Sequence, residues 1–342
     1  MLANKALAAS KGTSVYSGNI AIAHSITPYI SVYPWSSGFG TKYSNPATLP
    51  TALAAAYSVA FSPSSADIAV GYDSSPYISV YPWSSGFGTK YSNPATLPAG
   101  TAHGVTFSPS GADIAVAHDS SPYISVYPWS SGFGTKYSNP PLLIPDPGTG
   151  NGVAFSPNGT DIAIARANSP RIVVYPWSSG FGTKYSDPAT LPNGGGNGVA
   201  FSPNGANIAI AHSGTPYISV YPWSSGFGTK YSNPATLPNN VAYSVAFSPD
   251  GANIAVTHFG TPYISVYPWS SGFGTKYSDP ATLPTGTGRS VAFSPDGANI
   301  AVAHESSPYI SVYPWSSGFG TKYSDPATLP TGTGRSVAFS PA

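Results

Sequence analysis

An all-β seven-bladed β-propeller, with four-stranded antiparallel blades, is the fold this sequence predicts, and three observations predict it. The motif YPWSSGFGTKYS recurs seven times, with Trp at 35, 83, 129, 177, 223, 269 and 315. The motif FSP also recurs seven times, beginning at Phe61, Phe107, Phe155, Phe201, Phe247, Phe293 and Phe339. Trp spacings of 46 or 48 residues match the repeat length of multi-stranded propeller blades. The third observation is composition. With 37 Gly and 37 Pro in 342 residues the chain favours turns over helices, while 41% apolar and 13% aromatic residues suffice to fill a core.

One period, residues 285–330, shows the strand order. SVAFSP is the first extended segment, and Ser294-Pro295-Asp296-Gly297 then places Pro and Gly at the second and fourth positions of a type I turn. In the second strand Ile300, Val302 and His304 share one face and Ala301 and Ala303 the other. Tyr309 to Tyr313 forms the third strand, ended by Pro314, which has no amide hydrogen to pair. After the Ser-Ser-Gly-Phe-Gly turn, Thr321 to Ser324 is expected as a short fourth strand at an exposed edge. Small and large residues alternating on facing blades allow them to interlock. An open solenoid of stacked repeats is the competing architecture, and it would leave its end faces uncapped.

The termini favour a ring. The chain begins its first period without an FSP strand and ends with a lone VAFSPA. Val337 to Pro341 is therefore expected to supply the innermost strand of the first blade, with Ser14 to Tyr16 as the competitor for that place. The predicted organisation is an N-terminal segment, 1–13, outside the ring, and a single propeller over 14–342. Blade 1 comprises 14–50 plus 331–342, and the others comprise 51–98, 99–145, 146–192, 193–238, 239–284 and 285–330.

Charge excludes several functions. Charged residues make up 7% of the chain and the formal net charge is +1, which lacks the basic footprint of a nucleic-acid binder or a polybasic membrane patch. Cysteine is absent, so thiolate chemistry is too, and no apolar run reaches the length of a membrane helix. The opening MLANKALAAS is too short in apolar residues for a secretory signal. A virion or extracellular surface is the expected location, with the cytoplasm as the alternative.

The string VAFSPDGANIAVAHESSPYISVYPW resembles the WD-repeat family and related bacterial propellers, in which FSPDG precedes two strands and the second ends in Trp-Asp. Here Tyr313-Pro314 stands at that pair and the Gly-His element is missing, so the family's buried Asp–His network does not carry over. The repeat YPWSSGFGTKYSNPATLP, with its AVAH strand, is also similar to repeats in uncharacterised proteins of tailed bacteriophages and environmental bacteria. That similarity implies a virion or host-surface setting.

Copies within the chain differ in two connections: the loop after the second strand and the link between blades. Both fall at one end of an up-and-down blade, so one face of the disc is variable and the other nearly constant. On the variable face the candidate binding residues are His24, Tyr72, His118, Arg166, His212, His258 and His304. Drift in exposed loops is the plainer explanation of their variation. On the constant face the candidates are Trp35, Trp83, Trp129, Trp177, Trp223, Trp269 and Trp315, whose flat rings beside Ser and Gly suit sugars, although such rings more often form blade core.

No metal or cofactor is expected. The histidines occupy different blades, too far apart to share an ion, and Asp187, Asp279 and Asp325 alternate with Asn, which a catalytic carboxylate would not tolerate. Nucleophile elbows, P-loops and dinucleotide fingerprints are absent. An active site drawn from unique channel residues such as His103, Asp146, Arg166 and Arg171 is the least favoured reading. The expectation is a non-catalytic structural or attachment module of a phage particle, meeting a protein partner or a surface glycan. A multivalent sugar binder and an intracellular protein scaffold are the alternatives.

Overall fold

A computed structural model describes residues 16–49, 54–141 and 148–341. They contain 21 strands and no helix. Blade 1 holds β1 (Gly18–His24) and β2 (Ile30–Trp35), and blade 2 holds β3 (Ala56–Phe61), β4 (Asp67–Tyr72) and β5 (Ile78–Pro82). Blades 3 and 4 hold β6 (Ala102–Phe107), β7 (Asp113–His118), β8 (Ile124–Pro128), β9 (Gly150–Phe155), β10 (Asp161–Arg166) and β11 (Ile172–Pro176). Blades 5 and 6 hold β12 (Gly196–Phe201), β13 (Asn207–His212), β14 (Ile218–Pro222), β15 (Ala242–Phe247), β16 (Asn253–His258) and β17 (Ile264–Pro268). Blade 7 holds β18 (Gly288–Phe293), β19 (Asn299–His304) and β20 (Ile310–Pro314), and β21 (Gly334–Phe339) ends the series.

These strands form seven antiparallel sheets of three, consistent with a seven-bladed propeller. The FSPxG turn follows from its residues: the Gly297 amide donates to the Ser294 carbonyl at 2.8 Å and Gly297 takes φ 72°, a left-handed conformation that favours glycine. The turn from second to third strand is also tight. The Tyr29 amide donates to the Ile26 carbonyl at 2.9 Å across a cis Thr27-Pro28 bond, the geometry of a type VI turn, and all seven copies carry the cis proline.

The expected fourth strand does not form. After each third strand the chain makes isolated contacts with it: the Gly40 amide donates to the Pro34 carbonyl at 2.8 Å and the Tyr43 amide to the Val32 carbonyl at 2.9 Å. Bonds three residues apart do not make a ladder. The segment turns its tyrosine away instead, and Tyr43 meets Trp83 of the next blade edge-on at 5.0 Å.

The apolar core is divided among the seven blade junctions. At each, the alanine face of one blade meets the large face of the next; Ala209 and Ala211, for example, share a cluster with Val256, Phe247, Tyr267 and Trp269. A blade presenting small residues on one side and large ones on the other packs in one order only.

At the ends of the chain, β21 pairs with β1 in the register Ile20↔Phe339, Ala21↔Ala338, Ile22↔Val337. Val337 and Phe339 share a cluster with Trp35 and with Ala301 and Val312 of blade 7. Tyr16, the last residue of the competing segment, is not in a strand; its hydroxyl donates to the Ser340 carbonyl at 2.6 Å, just past the end of β21, and its ring packs edge-on against Phe339. Residues 1–13, expected outside the ring, lie outside the described residues.

Candidate functional site

The first strand of every sheet contains a β-bulge, and the bulges build the site. In β3, Ala56 opposes Tyr72 and Ser58 opposes Gly71, so Tyr57 is an extra residue with no partner across the ladder. The same shift frees His103, Asn151, Asn197, Tyr243, Arg289 and Arg335. A bulge re-aims the side chain it frees. Here all seven line one opening of about 170 Å³, the mouth. Small neighbours permit this crowding: a Cβ on Gly198 would stand 2.8 Å from the Tyr243 carbonyl oxygen of the next blade.

The mouth has two unlike halves. On one side the Asn151 amide donates to the Gly196 carbonyl at 2.8 Å and the Asn197 amide to the Ala242 carbonyl at 2.7 Å, tying neighbouring blades together. On the other side the Arg289 guanidinium lies 4.2 Å above the Tyr243 ring and forms an ion pair with Glu305, the sole glutamate of the sequence. The Arg335 guanidinium lies 4.1 Å above the Tyr57 ring, and Tyr57 meets the His103 imidazole edge-on at 5.2 Å.

These neighbours set the charges. Burial holds the His103 imidazole below its ordinary range; the Arg335 charge pushes the same way and the Asp119 carboxylate opposes. The ring is therefore neutral at pH 7 and able to accept a proton. Burial alone would raise the Glu305 carboxyl, but bonds from Thr287 and Arg289, together with the charges of Arg289 and Arg335, bring it below its usual range.

The variable-face candidates lie elsewhere, at the ends of the second strands. His24, His118, His212, His258 and His304 are fully enclosed. In each, Nε2 bonds a third-strand serine hydroxyl at 3.0–3.1 Å: Ser31, Ser125, Ser219, Ser265 or Ser311. Tyr72 and Arg166 fill the equivalent places in two blades, and Arg166 donates to the Ser169 carbonyl at 3.3 Å. The seven tryptophans, the constant-face candidates, lie in the blade junctions at 1–6% exposure. At three junctions the indole N–H of Trp129, Trp177 or Trp223 donates to Asp67, Asp113 or Asp161 of the preceding blade. Of the four unique residues weighed for an active site, His103 lies in the mouth, Arg166 and Arg171 bond nearby loop carbonyls, and Asp146 is outside the described residues.

The sequence reading missed Tyr57, Asn151, Asn197, Tyr243, Arg289, Arg335 and Glu305. A signal was present. In each first strand the second residue changes chemical character from copy to copy while its neighbours stay small or apolar.

Fold and mouth together are those of a propeller-like protein of seven three-stranded blades with a polar opening lined by one bulged residue from each. No protein-family model matches the sequence, and no curated protein matches it either. Among solved structures it is similar to a proposed 6-phosphogluconolactonase of Bacteroides fragilis NCTC 9343, with a TM-score of 0.74 at 12% identity over 96% of this chain and 99% of that one. It is similar also to the periplasmic gluconolactonase PpgL of Pseudomonas aeruginosa, at TM-score 0.70 and 17% identity over 95% and 99%. The Cps50 (Swd1) β-propeller domain of Myceliophteria thermophila aligns at TM-score 0.58 and 11% identity over 80% and 88%. Identities this low speak for the fold.

The neighbours correct one expectation. A non-catalytic phage attachment module, and with it the exclusion of an enzyme, gives way to a propeller whose neighbours carry lactonase names. The physical reason for the error lies in the mouth: residues far apart in sequence, each unremarkable in its own repeat, become one cluster only when the bulges turn them to one opening.

Proposed function

We propose that the protein is a hydrolase of sugar lactones and that the mouth of the central channel is its active site. One observation carries the reading: where the repeats diverge, they gather a neutral imidazole, two guanidiniums and two phenols into one opening, with a carboxylate paired to one of the guanidiniums. The reading takes the seven sheets as one closed ring, supported by the pairing of β21 with β1 and by the cluster shared between blades 7 and 1.

In this mechanism His103 takes a proton from water as the water oxygen adds to the lactone carbonyl carbon. The carbonyl oxygen becomes an alkoxide, and Arg335 provides the positive charge that faces it. Collapse of the adduct breaks the bond to the ring oxygen, which leaves with the proton held by His103. The product is the open hydroxy acid, and the imidazole returns to its neutral form. Tyr57 is a positioning residue between the two.

Acid release from glucono-1,5-lactone and its 6-phosphate tests the proposal. The native protein is expected to accelerate at least one reaction, and His103→Gln to lower kcat about 100-fold or more while leaving the melting temperature in place. Equal rates with and without protein, or an unaltered kcat in His103→Gln, would overturn it.

A further inference from the structure

We infer that the mouth contains an oxyanion subsite centred on the Arg335 guanidinium. The argument compares two copies of one strand. β18 and β21 have the same sequence, Gly-Arg-Ser-Val-Ala-Phe, and the same bulge, so Arg289 and Arg335 leave the backbone alike. Their surroundings differ in a decisive residue. In blade 7 the strand-end His304 is followed by Glu305, which pairs with Arg289; in blade 1 the strand-end His24 is followed by Ser25.

Arg335 consequently has no contact counter-ion: the Glu305 carboxylate pairs with Arg289 and acts on Arg335 only at longer range. Among the described residues it makes no ion pair and no hydrogen bond, and its Nε is buried without an acceptor. Leaving a buried donor of a charged group unpaired is costly, and a stacked ring face supplies no lone pair in the guanidinium plane. The two arginines lean apart, Arg289 onto Tyr243 and Arg335 onto Tyr57, so Arg335 remains beside the opening. Two guanidiniums against one Glu305 carboxylate leave one positive charge there, and the Asp119 carboxylate, whose charge acts on His103, forms no ion pair with Arg335 among the described residues. A planar guanidinium with its edge free matches two oxygens of a phosphate or carboxylate.

The ligand class is an oxyanion carried on the substrate or product: a phosphate ester, or the carboxylate that lactone opening creates. Only the assignment of that ligand to a substrate rests on the lactonase reading; the subsite itself does not. Inert probes keep the two apart.

Titration of the full-length protein with inorganic phosphate and, separately, with gluconate, followed by calorimetry and by the arginine Nε–H resonances, tests the inference. Saturable binding of at least one probe is expected, weakened about tenfold or more in Arg335→Gln. Ser25→Glu, which gives blade 1 the counter-ion of blade 7, is expected to weaken it similarly, and Glu305→Gln to tighten it several-fold by releasing Arg289. His103→Gln is expected to bind both probes as the native protein does, whatever the fate of lactone hydrolysis. Tighter binding of phosphate identifies a phosphate ester as the group held, and tighter binding of gluconate identifies the product carboxylate. Absence of binding by either probe, or equal binding in the native protein, Arg335→Gln and Ser25→Glu, would falsify the subsite.

Discussion

One residue position shows how the repeats have been tuned singly. Opposite the third-strand proline, each second strand carries Asp or Asn, and at three junctions the next blade's indole N–H donates to the Asp. Asp161 accepts from the Tyr185 hydroxyl at 2.9 Å with one oxygen and from Trp223 Nε1 at 3.2 Å with the other. Where the residue is Asn207 or Asn253, its Oδ1 is occupied by Tyr231 or Tyr277, and the indole of Trp269 or Trp315 has no acceptor. A carboxylate serves two donors at once, whereas an amide offers one oxygen and one donor face. Asp161→Asn is therefore expected to destabilise the protein by about 1–2 kcal/mol, the loss of one charge-assisted hydrogen bond. Denaturant melts of the variant would show it, and unchanged stability would mean that the Asp–Trp bond contributes nothing net.

The second strand, as an element, buries an ionisable group at its end. His24, His118, His212, His258 and His304 are each held at a pKa of about 4, chiefly by burial, against an ordinary 6.5. The folded state thus prefers the neutral ring. As pH falls below 6.5 the unfolded chain takes up protons that the folded protein refuses, so stability declines from about pH 6.5 and stops declining below about pH 4. Each histidine shifts the balance by up to roughly 3 kcal/mol over that window, and five together rival the total stability of an ordinary domain, about 5–15 kcal/mol. Acid unfolding is expected before pH 4 is reached, with a milder dependence in His212→Gln. A melting temperature constant from pH 7 to pH 4 would show that these rings titrate normally in the fold.

At the scale of the whole molecule, the sequence made the blades legible and the site illegible for the same reason, periodicity. The seven repeats announce strand order, junction packing and the pairing of β21 with β1, because each rests on residues the copies share. Alternation along a regular first strand would put Tyr57 on the same face as Val59 and Phe61, against the preceding blade, and the bulge between Ala56 and Ser58 breaks that phase. A one-residue slip moves a side chain to the other face, and nothing in a period-two pattern marks where it occurs. The outer segment was misjudged differently, since Thr41 to Ser44 has strand-like composition but spends its tyrosine on the neighbouring blade's tryptophan.

The pairing of the chain's two ends carries the largest expected effect. Removing residues 331–342 deletes β21 and with it Val337, Phe339 and Arg335, baring the edge of β1 and one side of the cluster around Trp35. An unpaired edge beside exposed apolar surface is an aggregation site. The truncated protein is expected to melt lower and to associate, and to lose oxyanion binding along with the strand. Because β18 carries the same six residues as β21, a synthetic peptide of residues 331–341 should re-pair with β1 and restore the melt, whereas a scrambled peptide should not. A truncated protein with the native melting temperature would show that the pairing is dispensable and that the blades hold together through their junctions alone.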